Sequence, residues 1–224
     1  MWDAQADALA DQFYVLRYDT RGHGQSARGI EPASLSRLGR DVLGLLDALA
    51  ITSAHFCGIS MGGLTGQWLG IHAPERLSSL VIANSAARIG TREGWSTRAA
   101  QVRSDGMPGI AAGAAARWFT PEFIARSSSS VASMISKLAT QDPEGYAACC
   151  DALADADLCG EISAIPAPTL ILAGEHDPVT TVADGAWMVA RIKHARLQTL
   201  PASHLSNIEA EAQFTQALLR FLTA

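Results

Sequence analysis

Apolar positions along the chain fall into a rhythm of short β-rich runs separated by amphipathic stretches. Trp2, Ala6 and Leu9 recur at helical spacing and predict a short opening helix, and the run Phe13 to Tyr18 predicts a strand. A glycine-rich loop from Asp19 to Pro32 follows. Leu35, Leu38, Val42, Leu45, Leu46 and Leu49 then repeat with helical period behind Ser34, a side chain suited to an N-cap. Ala54 to Cys57 predicts a buried strand, Met61 to His72 a helix ending before Pro74, and Leu80 to Ala83 another fully apolar strand. After an irregular middle, the rhythm resumes. Pro168 to Ala173 predicts a strand, Ala183 to Ile192 a helix, Ala195 to Leu200 a strand, and Ile208 to Leu222 a closing helix.

Strands alternating with helices predict an α/β fold, a mostly parallel sheet with helices on both faces. Between Arg88 and Gly160 the chain is alanine- and serine-rich, with helical stretches and no convincing strand, which reads as a helical cap inserted into the sheet domain. The organisation expected is therefore a core of residues 1–87, a cap of 88–160 and a second core part of 161–224.

A chain of 224 residues, 48% hydrophobic and 17% charged, is long enough to bury one substantial core. The net charge of −5 argues against nucleic acid, whose phosphates require a basic surface, and favours a small-molecule partner. No apolar run reaches membrane-spanning length, and the start, MWDAQADALAD, is acidic where a secretory signal is basic, so no membrane association and a cytoplasmic location are expected. Cys57, Cys149, Cys150 and Cys159 contain no CxxC pair and fit neither a disulfide framework nor a zinc site; buried, reduced thiols are expected.

Gly58-Ile59-Ser60-Met61-Gly62 fits GxSxG between a predicted strand and a predicted helix, the context of a nucleophile elbow. The glycines are expected to leave room two positions either side of a strained serine, and the Met61 N–H to face an oxyanion. A serine hydroxyl needs a base, and the base needs a carboxylate to fix its tautomer. Asp177, in GEHDP after an apolar strand, lies where such a sheet presents ligands; Glu175 and Asp184 are weaker candidates. His204, between the last strand and the last helix, completes the order Ser60, Asp177, His204. His23 precedes the nucleophile and suits the rim of a site better than its base.

Through DTRGHGQS (Asp19 to Ser26), CGISMGG (Cys57 to Gly63), GEHDP and the late histidine, the chain resembles the α/β-hydrolase superfamily. Through IGTREGW (Ile89 to Trp95), RWFTPEF (Arg117 to Phe123), GYAACCDALADADL (Gly145 to Leu158) and ASHLSNIE (Ala202 to Glu209) it is similar to the 3-oxoadipate enol-lactonases. The resemblance spans essentially the whole chain. It implies an α/β-hydrolase fold and a serine hydrolase that opens a small anionic enol-lactone through an acyl-enzyme, in aromatic-compound catabolism, with no metal or organic cofactor. Carboxylesterases and carbon–carbon-bond hydrolases share the triad, and an inactive, ligand-binding member of the fold is the alternative from another class.

The family's serine, aspartate and histidine carry over to Ser60, Asp177 and His204. One departure stands out: members of the family have further strands ahead of the segment that opens here, including one lying between the runs 13–18 and 54–57, whose following loop supplies a second oxyanion N–H. A missing strand and a truncated or misplaced start are therefore expected, with a gap in mid-sheet. The family's substrate carries a carboxylate, which calls for a cation. Arg88, Arg92, Arg98, Arg103, Arg117, Arg126 and Lys137 outnumber Glu93, Asp105 and Glu122 in the cap, and Arg117 beside Trp118 is the expected substrate-binding pair.

Overall fold

A computed structural model describes residues 1–224. Its centre is a four-stranded parallel sheet of β1 (Ala54–Ile59), β2 (Leu77–Ala83), β3 (Thr169–Gly174) and β4 (Ala195–Leu200), in that spatial order. Side chains alternate across β2 as a pleated strand requires: Leu80 and Ile82 join one core, Val81 and Ala83 the other. The first core is closed by α2 (Leu35–Ala48), α3 (Met61–His72) and α10 (Val182–Val189); the second by α1 (Asp3–Leu9) and α12 (Glu211–Leu222). Helices thus cover both faces. The Ser34 hydroxyl accepts from the Arg37 N–H at 3.2 Å and caps α2.

The chain from Arg92 to Asp155 holds six helices joined by short turns and no strand: α4 (Arg92–Asp105), α5 (Pro108–Ala112), α6 (Ala114–Trp118), α7 (Pro121–Arg126), α8 (Ser128–Ala139) and α9 (Pro143–Asp155). α4 packs on α9, and Ala99, Val102, Met107 and Ile110 help form a separate small core. The Leu158 N–H donates to the Ala87 carbonyl at 2.9 Å, so this excursion leaves and rejoins the sheet domain at one point. No helix is long and apolar enough to cross a membrane.

Several expectations need correction. Residues 13–18 form no strand, because a strand is defined by its hydrogen-bonded neighbour and none lies beside them. Phe13 and Val15 pack inward while Tyr14, Leu16 and Tyr18 remain exposed. β1 pairs only with β2, and an apolar cavity of about 460 Å³ lies between β1 and residues 13–18, so a gap stands at the expected place in the sheet. The closing helix breaks at Ala210 into α11 (Ser206–Glu209) and α12. The thiols are free, but Cys159 is exposed and Cys57 only partly covered, since Cys57 stands on the open strand.

Candidate active site

Ser60 stands between β1 and α3 with φ 55° and ψ −118°, a backbone conformation that costs a non-glycine residue energy and persists only where surroundings enforce it. Its N–H donates to the carbonyls of Ala83 and Asn84 at 3.0 and 3.2 Å, and its carbonyl accepts from the Ser85 hydroxyl at 2.8 Å. The expected roles of the glycines are only partly right. A β-carbon on Gly58 would lie 2.2 Å from the Gly62 carbonyl oxygen, whereas one on Gly62 would meet nothing within 4 Å. The second close approach belongs to Gly63, where a β-carbon would sit 2.5 Å from that of Ser85, because this face of α3 turns toward the end of β2. The Met61 N–H opens α3 and has no backbone acceptor.

The Ser60 hydroxyl is 3.0 Å from His204 Nε2, and His204 Nδ1 is 2.8 Å from Asp177 Oδ2. All three groups therefore lie in one hydrogen-bonded row at the carboxyl ends of β1, β3 and β4. Asp177 and His204 are both buried. A β-carbon on Gly174 would lie 2.4 Å from the Ser203 carbonyl oxygen, so glycine there lets the histidine loop cross close to the aspartate loop.

Asp177 accepts from five groups. Oδ1 takes the N–H groups of Val179 and Thr180 at 2.8 and 3.1 Å; Oδ2 takes His204, the Asn84 amide at 2.9 Å and the Thr180 hydroxyl at 2.8 Å. Burial alone pushes this carboxyl up, but the hydrogen bonds and charge from His204, with Asn84 and Val179, outweigh it and hold it below the usual carboxylate range. Glu175 instead accepts from Thr199, and Asp184 caps α10 with Thr181.

Two supports had no signal in the sequence pattern. Asn84, at φ 41°, donates to Asp177 and to the Ser203 carbonyl, while its own oxygen accepts from Ser206. Glu209 is buried and accepts from the Ser203 N–H at 2.8 Å and from the Thr120 N–H and hydroxyl. With the Leu205 N–H on the Trp118 carbonyl at 3.0 Å, this ties the helical excursion to the histidine loop.

Ser60, Met61 and His204 open into a cavity of about 650 Å³ that also takes in His23, Arg117 and Trp118. His23 is on its wall, held through Nδ1 at 3.2 Å from the Arg21 carbonyl, and makes no hydrogen bond to Ser60, whose hydroxyl is partnered by His204. Arg117 donates to the Ile110 carbonyl at 3.1 Å, and Trp118 packs edge-on to Phe119. No group of three or more His, Cys, Asp or Glu side chains converges as a metal site.

Comparison with known proteins places this geometry among related chains. The family described as the alpha/beta hydrolase fold matches residues 1–211. Over 218 residues the chain is 49% identical to 3-oxoadipate enol-lactonase 2 of Acinetobacter baylyi, covering 97% of this chain and 82% of that one. Among solved structures it resembles the enol-lactonase from Burkholderia xenovorans LB400 with a TM-score of 0.97 and 43% identity, over 100% of this chain and 86% of that one. It also resembles a malate-bound thermophilic esterase from Thermogutta terrifontis, with a TM-score of 0.93 and 26% identity, over 99% of this chain and 84% of that one.

Proposed function

The chain belongs to the α/β-hydrolase family, and from that premise we propose that it is a serine hydrolase that opens 3-oxoadipate enol-lactone, a small carboxylated cyclic ester. The observation that carries the reading is the Ser60–His204–Asp177 row opening into a cavity large enough for a small ring. The enol-lactonases at 49% and 43% identity support the choice of ester.

In this mechanism Ser60 Oγ attacks the ring carbonyl while His204 Nε2 takes its proton. Asp177 holds Nδ1–H in place and stabilises the imidazolium. The tetrahedral oxyanion lies against the Met61 N–H, and a donor at such a position contributes about 2.7 to 4 kcal/mol. Collapse breaks the ring carbon–oxygen bond, and His204 returns the proton to the leaving enol oxygen. Water, activated by the same imidazole, then releases the acid from Ser60, and the enol tautomerises to the ketone. Residues 88–160 act as the cap that selects the substrate, with Arg117 and Trp118 on its inner wall.

A second reading, hydrolysis of an open-chain anionic ester, draws on the malate-bound esterase relative. Hydrolysis of 3-oxoadipate enol-lactone and p-nitrophenyl acetate by the wild type and Ser60→Ala tests both, with fluorophosphonate labelling of the serine. The lactonase reading expects labelling at Ser60 and a strong preference for the lactone. Equal lactone opening by wild type and Ser60→Ala would refute it, and a preference for open-chain esters selects the second reading.

A further inference from the structure

We propose that Glu209 and Thr120 are positioning residues for His204: the clasp they form makes the placement of the base depend on the helical excursion that carries residues 118–120. The proposal rests on the hydrolase reading above. His204 lies between β4 and α11, outside any strand or helix, so its position has to come from links made by its neighbours. Those on either side of it lead to the excursion. The Leu205 N–H donates to the Trp118 carbonyl at 3.0 Å. The Ser203 N–H donates at 2.8 Å to Glu209, whose carboxylate also takes the Thr120 N–H at 3.2 Å and the Thr120 hydroxyl.

Glu209 suits this task because a carboxylate presents acceptor oxygens to two chain segments at once. It is buried, and every hydrogen-bond partner of its carboxylate is a neutral donor; Arg126 reaches its backbone carbonyl, at 3.5 Å. The charge is therefore sustained by the very bonds that make the clasp. Thr120 is matched to it: its hydroxyl gives its single proton to Glu209 and accepts from the Phe123 N–H at 3.3 Å, which caps α7. Packing follows the same path. Phe119 and Phe123, stacked with ring centres 4.9 Å apart, form a small core with Leu205, and Ile59 packs against it. One patch of the excursion thus touches the residue before Ser60 and the residue after His204. Neither Glu209 nor Thr120 lines the cavity, so each acts through the base and not on the substrate.

Thr120→Val keeps the side-chain shape but removes the hydroxyl, Thr120→Ser keeps the hydroxyl, and Glu209→Gln replaces one of the two acceptor oxygens by a donor. Hydrolysis of 3-oxoadipate enol-lactone and p-nitrophenyl acetate by these variants, the double variant Thr120→Val/Glu209→Gln and the wild type tests the clasp. Thr120→Val and Glu209→Gln are each expected to lower kcat on both esters by about tenfold or more, with KM for the lactone within about twofold, because a displaced base slows attack without weakening binding. Thr120→Ser is expected to recover most of the loss, and the double variant to lose no more than the worse single one. A kcat within about twofold of wild type in Thr120→Val, a rise in KM alone, or a Thr120→Ser no faster than Thr120→Val overturns the proposal. If Glu209→Gln does not fold, the two threonine variants decide alone. The NMR signal of the His204 Nδ1 proton shared with Asp177 reads the placement of the base without turnover, and should move in Thr120→Val and return in Thr120→Ser. Wild-type protein that hydrolyses neither ester overturns the hydrolase reading; a shifted signal in Thr120→Val then keeps the clasp, and an unshifted one overturns it as well.

Discussion

Replacing Asn84 separates two roles that one residue combines. Its side chain makes three buried hydrogen bonds, to Asp177, the Ser203 carbonyl and Ser206, and its backbone sits at φ 41°. The bond to the Asp177 carboxylate is charge-assisted, at about 1.5 to 3 kcal/mol, and the two neutral ones contribute about 0.5 to 1.5 kcal/mol each. Asn84→Gly removes all three without backbone strain and is expected to destabilise the fold by about 2.5 to 6 kcal/mol. Asn84→Ala adds about 1 to 2 kcal/mol more, the cost of a β-carbon in the left-handed region. Loss of one Asp177 restraint should also lower kcat for p-nitrophenyl acetate by about tenfold or more, equivalent to ~1.4 kcal/mol. The sign with pH follows from the lowered Asp177 pKa. Its contribution to stability is full above the unfolded value, 3.8, and is lost as pH falls through the folded value. Without Asn84 the folded value rises toward 3.8, so the contribution is smaller and its loss is complete at a higher pH. Denaturant melts from neutral to acid pH and initial-rate assays measure these effects. If Asn84→Gly matches the wild type in midpoint and kcat, or if Asn84→Ala is more stable than Asn84→Gly, the reasoning is wrong.

Asp177→Asn should reduce kcat by about ten-thousandfold, because the amide favours the wrong His204 tautomer; the stability gap to wild type should narrow below the unfolded value of 3.8 as Asp177 itself protonates, readable by acid melts. A β-carbon at position 145 would lie 2.2 Å from the Gly22 carbonyl oxygen. Gly145→Ala is therefore expected to cost about 1 to 3 kcal/mol in urea unfolding, and an unchanged midpoint would show that this loop yields freely. Glu209→Gln weakens the bonds from Ser203 and Thr120 and should lower stability by about 1 to 3 kcal/mol; kcat should fall with it if the histidine loop depends on that anchor.

The sheet domain was legible where hydrophobic period and chemistry coincide. GxSxG between a strand and a helix, an aspartate after an apolar strand and a histidine after the last strand are local patterns, and folding brings Ser60, Asp177 and His204 into hydrogen-bond contact. β2 begins at Leu77, earlier than its apolar run suggests. Ser79 looks polar in sequence, yet it is buried and its hydroxyl lies 2.7 Å from His55 Nδ1 on the neighbouring strand. The run 13–18 failed for the opposite reason: its residues favour a strand, but pairing is supplied by other residues or not at all. Asn84 and Glu209 were opaque because each acts through partners far away in the chain, Asp177 for the first and Thr120 for the second.

Ser60 is carried at the end of β1, which has a hydrogen-bonded neighbour on one side only. Strands held on one side open at lower free energy than central ones, so Ser60, like His204 after β4, follows an edge strand, while Asp177 follows the central, fully buried β3. Heat or mild denaturant should therefore silence the enzyme before the molecule as a whole unfolds, and amide exchange along β1 should run ahead of exchange along β3. The residual competence of a warmed sample would then report a local fraying equilibrium at Ser60 and leave the global melting curve almost unmarked.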